Sequence, residues 1–473
     1  MMRAFRPLIL AAVLLLGACS HDAPTDRLAT TDVPQSWDAP IPQNASEWPR
    51  VDWWHEFQSE ELDRLIASAQ SQNLDLAAAA ARVMQAEGQA RVAGSALLPS
   101  VNLNAGASQS GPLSGSSNTS TRRSFSTELG ASYELDFWGR NRANLSAAEA
   151  SLAASQYDRE TVALTVTASV ASTYFQILSL RDRLVTARLN LENARGVLKI
   201  TEARTNAGVV TPLDLAQQRA AVANQEASIP GLEQSERVAR ATLALLLGLP
   251  PQGFDVNTKT MADLAAPTVK PGMPSELLAR RPDIRRAEAQ LASADANIEA
   301  ARAAFFPTIS LSGSAGFAST ALSTLFNPAN AAYTIGASIL QTIFDGGRLE
   351  GEFDTTVGRR QEIVANYRTV VITAFSDVDV ALGAVATLAE EERQRRIAAT
   401  QAAEAFRIAE VRYRAGVEDF ISVLDAQRTL YSAQDQLSQT RLARLQAAVT
   451  LYRVLGGGWT DPTPVSGEGA PKL

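Results

Sequence analysis

The chain is poor in the side chains that most enzymes use for catalysis. Its 473 residues include one cysteine, Cys19, and two histidines, His21 and His55. One cysteine excludes an internal disulfide bond, and two histidines leave little material for a metal hydrolase or a histidine base. The sequence also lacks a glycine-rich phosphate loop, a nucleophile elbow and a CxxC pair. We therefore predict that the protein is not an enzyme and that it has no metal or cofactor site.

Lysine is equally scarce, and the overall charge is negative. The formal net charge is −7 at pH 7. Nucleic-acid binding requires a basic patch, so this balance argues against a nucleic-acid partner. The lysines are Lys199, Lys259, Lys270 and Lys472.

The N-terminus combines basic residues with a short apolar run. Arg3 and Arg6 precede an unbroken apolar stretch from Leu8 to Leu16. That stretch is about half of the ~20 residues that a membrane-spanning helix needs. Residues 1–18 are therefore predicted to be a signal peptide.

The string Leu16-Gly17-Ala18-Cys19 follows directly and is typical of a bacterial lipobox. Cys19 is expected to carry an S-diacylglycerol and an N-palmitoyl group, which together suffice for stable anchoring. By resemblance to the bacterial sorting rule, Ser20 in place of aspartate favours the outer membrane. The alternative is an ordinary signal peptide in which the cysteine occurs by chance.

The chain contains two copies of one sequence unit. A shift of 208 residues superimposes its turn and helix-end residues, and longer strings agree around them. So many coincidences at one shift indicate a tandem duplication. The paired residues are Asp75 with Asp283, Pro99 with Pro307, Arg140 with Arg348, Gly208 with Gly416, and Gly248 with Gly456.

Each repeat predicts a helix, a β-hairpin, a long helix and a return helix. The hairpins show strict apolar–polar alternation, and the long runs after them contain no proline, so each predicts a helix of roughly 100 Å. The first repeat, 59–248, has a helix over 59–95, a hairpin over 100–137, a long helix over 140–206 and a return helix over 211–247. The second repeat, 275–456, begins with a helix and continues with a hairpin over 308–344, a long helix over 348–414 and a return helix over 419–455.

The four predicted strands favour a membrane barrel shared between copies. After the signal peptide we expect no apolar helix that could cross a bilayer, whereas alternating segments of about ten residues are typical of outer-membrane strands. A barrel must close in lipid, and single-chain barrels start at about eight strands, so three copies would give twelve. The alternative is a pair of soluble hairpins on a coiled coil. Glu128, Glu134 and Asp136 would either line the pore or lie at its rim.

Several strings in the chain are characteristic of one known family. They are Leu277-Leu278-Ala279-Arg280-Arg281-Pro282-Asp283-Ile284, Asp136-Phe137-Trp138-Gly139-Arg140, Phe344-Asp345-Gly346-Gly347-Arg348, Leu424-Asp425-Ala426-Gln427-Arg428 and Trp53-Trp54. With them the chain resembles the TolC/OprM-type outer-membrane factors, and within these the NodT-type efflux lipoproteins. The resemblance covers nearly the whole mature chain.

The resemblance implies an α+β membrane protein with a trimeric 12-stranded β-barrel that continues into a long periplasmic α-helical barrel. A mixed equatorial collar would come from 19–58, 249–274 and 457–473. The implied function is passive export of small molecules across the outer membrane. The implied partners are a periplasmic membrane-fusion adaptor and an inner-membrane pump of the resistance-nodulation-division (RND) class.

The family also implies a periplasmic gate just after the helix-breaking glycines. The matching positions are Ile421, Asp425 and Arg428 in the second repeat and Asp214 in the first. Three copies of Asp425 would form an acidic ring, and Arg428 shares its helix face. Ser422 stands where some relatives have a second acid, so the ring is expected to be single. The alternative is that Asp425 and Arg428 form only an exposed ion pair within the helix.

The turns between the long and return helices are expected to dock the adaptor. The alternative is that their glycines serve backbone geometry alone. These tip residues are Gly208, Val209, Val210, Thr211, Gly416, Val417 and Glu418.

Three other functions stay open on the sequence. A type I protein-secretion duct uses the same fold. A periplasmic adaptor lipoprotein would have one helical hairpin between β-rich domains, and a scaffold lipoprotein would leave the alternating strands unexplained. The sequence does not identify the exported compound.

Overall fold

The computed structural model describes residues 33–39, 48–112 and 121–459. The predicted signal peptide, Cys19 and most of the predicted C-terminal tail lie outside the described residues. The described helices and strands repeat the same order twice along the chain. The first repeat contains α1 (Glu60–Gln72), α2 (Leu74–Ser95), β1 (Ser100–Ser110), β2 (Arg122–Leu135), α3 (Arg140–Asn206) and α4 (Pro212–Leu246), and the second contains α5 (Pro274–Arg280), α6 (Pro282–Ala303), β3 (Thr308–Ser319), β4 (Ala331–Leu340), α7 (Arg348–Ala415) and α8 (Phe420–Val454).

The incoming helix predicted over 59–95 is wrong in one respect, because it is broken at Asn73. This residue has an extended backbone, and its side-chain oxygen accepts a hydrogen bond from the Leu76 N–H at 3.0 Å, which caps α2. Its amide donates to the Leu246 carbonyl at 2.8 Å. Asparagine is a preferred N-cap residue, but the alanine-rich composition on both sides concealed the break.

The second repeat builds the same junction from different residues. Arg281 has an extended backbone before Pro282, as residues before a proline tend to have. Its guanidinium donates to the Val454 carbonyl at 3.2 Å, the counterpart of Leu246. It also pairs with Asp283 at 2.6 Å and with Asp377 at 3.4 Å. The Arg281-Pro282-Asp283 string therefore holds the end of a return helix against the break in an incoming helix.

A glycine ends each return helix at these junctions. Gly248 and Gly456 both have positive φ angles, of 70° and 74°. A Cβ atom on either would collide with a backbone carbonyl, that of Gln72 or that of Arg280. Glycine is required here for the close approach as well as for the backbone conformation.

The four strands form one antiparallel sheet in the order β1–β2–β3–β4. The register pairs Leu103 with Leu129, Ala131 with Gly313 and Ile309 with Ile339, so like faces stay together across the sheet. Within the described chain β1 and β4 are edge strands with one unpaired side each. An open edge is not compatible with lipid, so these edges require strands from other copies.

The largest core lies where the long helices, the return helices and the predicted collar segments meet. Trp53 and Phe57 lie in a short 3₁₀ helix and are fully buried. Trp53 stacks on Tyr452 of α8 with ring centroids 4.8 Å apart. From the segment between the repeats, Val256 and Met261 are buried in the same core. The described parts of the two predicted collar segments 19–58 and 249–274 thus pack against the helical body.

We expected no helix of the mature chain to be long and apolar enough to cross a membrane, and this expectation is wrong. Both α3 and α7 contain an apolar segment that meets that test. However, 61% of the segment in α3 is buried against the rest of the chain. Helices of 67 and 68 residues also far exceed the ~20 residues that a span requires. Packing between helices accounts for the apolar composition of α3.

Candidate channel wall and periplasmic tips

The sheet has one apolar face and one polar face. On the apolar face the side chains are large and strongly exposed, with Tyr333 at 79% and Ile335 at 82%. Exposed apolar side chains in register on one face are suited to contact with lipid. The members of this face are Val101, Leu103, Leu129, Tyr133, Leu311, Tyr333, Ile335 and Ile339.

The opposite face of the sheet carries small polar side chains and one acid. They line a shallow cavity of about 310 Å³. Glu128 lies among them, as predicted for a pore-lining residue, and it is exposed. The lining includes Asn102, Asn104, Glu128, Ser132, Ser312, Ser314 and Thr334.

Asp136, predicted to line the pore or to lie at its rim, lies just beyond the end of β2, where it caps a helix. Its carboxylate accepts hydrogen bonds from the backbone N–H groups of Asn141 and Arg142, at 3.0 and 2.9 Å. Burial opposes its ionisation, but these hydrogen bonds and the Arg142 guanidinium outweigh burial and lower its pKa. An anion at a helix N-terminus is stabilised by the helix dipole. Asp136 therefore joins the strand to the long helix.

Glu134 lies on the polar face of β2 but is not a free pore charge. Both of its carboxylate oxygens accept hydrogen bonds from Arg140 Nη2, each at 2.8 Å. The pair joins the polar face of the sheet to the first turn of α3. Of the three predicted pore acids, Glu128 alone is without an ion-pair partner in the described chain.

Each tip is a tight turn between two long helices. Gly208 and Gly416 have φ angles of 71° and 80°. The residue after each glycine, Val209 or Val417, donates its N–H to a carbonyl five residues back, at 2.9 and 3.0 Å. This is the Schellman arrangement that ends helices at glycine. The breaks predicted at both glycines are confirmed.

Asp214 has a structural partner at the first tip. Thr211 Oγ1 accepts the Asp214 N–H at 3.2 Å, and the Asp214 carboxylate accepts the Thr211 N–H at 2.9 Å. This reciprocal capping box satisfies the first turn of α4. The second tip lacks such a box and is held instead by an ion pair of 2.8 Å between Arg412 and Glu418.

Apolar side chains project from both tips. Val209 is 65% exposed and Val417 is 63% exposed. Leu213 and Ile421, in the first turns of the return helices, are 64% and 52% exposed. Both tips therefore combine a rigid backbone with apolar side chains that have no cover within the described chain.

The proposed gate residues share one face of α8. Ile421, Asp425 and Arg428 are exposed, whereas Leu424 and Gln427 between them are buried. Within the described chain, Asp425 and Arg428 make no ion pair, either with each other or with another residue. The intrahelical pair that the sequence left open is therefore not formed, and both charges are available to neighbouring copies.

The sequence analysis missed a set of polar contacts between α3 and α8. Arg183 pairs with Asp435 at 2.6 Å. The Tyr431 hydroxyl donates to the Asn190 carbonyl at 2.5 Å, and Asn190 Nδ2 donates to Gln434 Oε1 at 3.1 Å. These contacts join the two helical hairpins above the tips.

A sheet with a lipid-compatible face and a polar face, continued by helices of about 100 Å, defines an outer-membrane channel that extends as a helical tunnel. The comparisons agree. The family model described as "Outer membrane efflux protein" matches residues 65–249 and 273–457. The chain belongs to the outer membrane efflux protein family.

Two relatives have the printed name "Pyoverdine export outer membrane protein OpmQ". The one from Pseudomonas putida is 43% identical over 464 residues, which cover 96% of this chain and 98% of the relative. The one from Pseudomonas aeruginosa is 44% identical over 461 residues, with 95% and 96% covered. Among solved structures, the open state of the Neisseria gonorrhoeae MtrE channel gives a TM-score of 0.82 at 30% identity, with 92% and 98% covered.

These findings establish the function in outline. The protein is the outer-membrane channel of a tripartite efflux system, and members of this family act as trimers. Three sheets of four strands supply the twelve strands of the barrel, and the open edges of β1 and β4 are where the copies join.

Proposed function

We propose that the protein is a lipid-anchored, gated homotrimeric exit duct that receives its cargo from a periplasmic adaptor and an inner-membrane RND pump. Cys19 carries the lipid, and the two tips of each copy contact the adaptor. The duct is passive and performs no chemistry. The observation that carries the docking role is the set of exposed apolar side chains on the two rigid turns.

The exposed side chains at the tips indicate a docking role and not only a geometric role for the glycines. A turn needs glycine for its backbone, but it does not need Val209 and Val417 exposed to water. Uncovered apolar residues on a rigid turn are typical of a contact site. A partner that covers them in three copies would bury six such turns.

The gate is the exposed face of α8 formed by Ile421, Asp425 and Arg428. Three Asp425 carboxylates around a threefold axis repel one another and favour opening. An Arg428 guanidinium from a neighbouring copy would offset that repulsion and hold the tip shut. Asp214 belongs to the gate in the first repeat, where its capping box with Thr211 fixes the start of the return helix.

The relatives named for pyoverdine export provide the first cargo to test. An OpmQ-deficient Pseudomonas strain that expresses this chain should regain pyoverdine in its medium. Cys19→Ala should reduce that recovery and abolish the incorporation of labelled palmitate, while the barrel strands keep the protein in the outer-membrane fraction. Export by the unmodified chain at the level of the empty vector would contradict the proposed cargo.

The docking role is tested by Val209→Asp and Val417→Asp. A carboxylate at either tip should abolish export and cross-linking to the adaptor, because burying an unpaired charge is costly. The trimer should persist. Leu322→Asp is the control, since Leu322 is 64% exposed in the β3–β4 loop at the opposite end of the sheet. Normal export by both tip variants would exclude docking through the tips.

A further inference from the structure

A groove of about 1040 Å³ lies between α3, α6 and α7. Its floor is a face of α6 with small and amide side chains, among them Gln290, Ser293 and Asn297. Ser155 of α3 and Thr355 of α7 stand on its two walls. The lining mixes polar side chains with alanine, and none of the proposed gate or tip positions lies in it.

One end of the groove adjoins the polar face of the sheet. Arg140 lines the groove and is bonded to Glu134, which lies on the same face of β2 as Glu128. That face of the sheet is the polar one, and the opposite face is apolar and suited to lipid. The Arg140–Glu134 pair therefore connects the groove to the face of the sheet that points away from lipid.

Two of the four arginines along the groove have no partner in the described chain. Arg140 is paired with Glu134, and Arg286 with Asp158 at 2.6 Å. Arg82 and Arg359 are exposed and make no ion pair or hydrogen bond within the described residues.

The acids of the groove offset this charge only in part. Asp158 is paired with Arg286, and Glu352 pairs with Arg348 at 2.9 Å. Glu362 is the third acid of the lining, and it has no partner in the described chain. Two unpaired cations thus face one unpaired anion, in a chain whose net charge is −7.

We propose that this groove is a luminal binding site for anionic, hydroxyl-rich small molecules. Arg82 and Arg359 supply guanidinium groups, which bind carboxylates in a two-point geometry. The amides of Gln290 and Asn297 and the hydroxyls around them exchange hydrogen bonds with hydroxyl groups. The proposal deepens the export function proposed above by defining the chemical class of the cargo. A weak, exposed site suits a duct, because the cargo must also leave.

The test uses three open-chain polyols of similar size and different charge. Gluconate is anionic, sorbitol is neutral and N-methylglucamine is cationic at neutral pH. Saturation-transfer NMR on the purified native trimer measures the binding of each. We expect gluconate to bind about threefold more strongly than the other two, which is what one exposed guanidinium–carboxylate pair contributes.

The variant Arg82→Gln/Arg359→Gln should reduce gluconate binding to the level of sorbitol. The matched control is Arg91→Gln/Arg237→Gln, which removes two exposed arginines that do not line the groove. The control should retain the preference for gluconate.

Equal binding of the three polyols to the native protein would overturn the proposal, as would a preference that survives in Arg82→Gln/Arg359→Gln. If that variant fails to assemble, the comparison of polyols on the native protein still decides. Binding is measured on the isolated protein and export in cells, so either result can fail without the other.

Discussion

Two acidic side chains of this protein hold helix ends. Asp136 was predicted to line the pore or lie at its rim and Asp214 to belong to the gate, and in the structure both accept hydrogen bonds from backbone N–H groups at the start of a helix. The sequence could not separate these roles, because a carboxylate just before a helix suits a cap as well as a pore. The residues that remain exposed and unpaired, Asp425 and Arg428, are the better candidates for gating.

Asp136→Asn should destabilise the junction between β2 and α3 by up to about 1 kcal/mol, because asparagine lacks the charge that the N-terminus of α3 stabilises. The pKa of Asp136 is lowered in the folded protein from its ordinary value of 3.8. Its carboxylate therefore stabilises the fold above that value, and the contribution is lost as the pH falls through the folded pKa. The melting temperatures of the unmodified protein and of Asp136→Asn should differ at neutral pH and converge at strongly acidic pH. A difference that does not change with pH would contradict this role.

Tyr431→Phe should weaken the contact between α3 and α8. The hydroxyl donates to the Asn190 carbonyl and accepts from Gln427 Nε2 at 2.9 Å, so its removal leaves buried groups without partners. We expect a loss of about 1 kcal/mol in unfolding free energy, measured by denaturant titration. Tyr333→Phe is the control, because Tyr333 is 79% exposed on β4. Equal effects of the two changes would argue against the contact.

At the scale of the elements, the duplication made most of the fold predictable. The long helix predicted over 140–206 is Arg140–Asn206 in the structure, and both hairpins lie where the alternation placed them. The break at Asn73 was not predictable from propensity, since alanine-rich sequence favours a continuous helix. It exists because a return helix 173 residues further along the chain ends against it.

One tip glycine and one junction glycine have the same backbone conformation, so comparing them isolates the effect of close packing at the junction. Gly208 and Gly248 have nearly the same φ angle, 71° and 70°. A Cβ on Gly208 meets open space, whereas one on Gly248 collides with the Gln72 carbonyl. Alanine at either position costs roughly 1–2 kcal/mol for the left-handed conformation, and at Gly248 the collision adds to that.

Gly248→Ala should therefore lower the melting temperature of the trimer well below that of Gly208→Ala. Gly456→Ala should behave like Gly248→Ala, because its Cβ collides with the Arg280 carbonyl. Equal melting temperatures for Gly208→Ala and Gly248→Ala would show that the junction accommodates the added Cβ atom without loss of stability.

At the scale of the whole molecule, one chain forms only part of the channel wall. Its sheet has open edges at β1 and β4, one face of the sheet is apolar, and its gate charges lack partners in the described chain. Neighbouring copies around a common axis complete the sheet edges and supply partners for the gate charges, and lipid covers the apolar face. The sequence predicted this from the number of strands, but it could not show which charges stay unpaired, because that depends on contacts between distant helices.

The most direct test is the planar-bilayer conductance of the purified protein, with its mass in detergent measured in parallel. We predict three times the mass of the chain and a small conductance that rises on Asp425→Ala or Arg428→Ala. Asp419→Asn is the matched control, because Asp419 is exposed at the same tip and its side chain makes no capping bond; it should leave conductance unchanged. A monomer that never conducts, even with Asp425 or Arg428 replaced, would contradict the account of a gated trimeric duct.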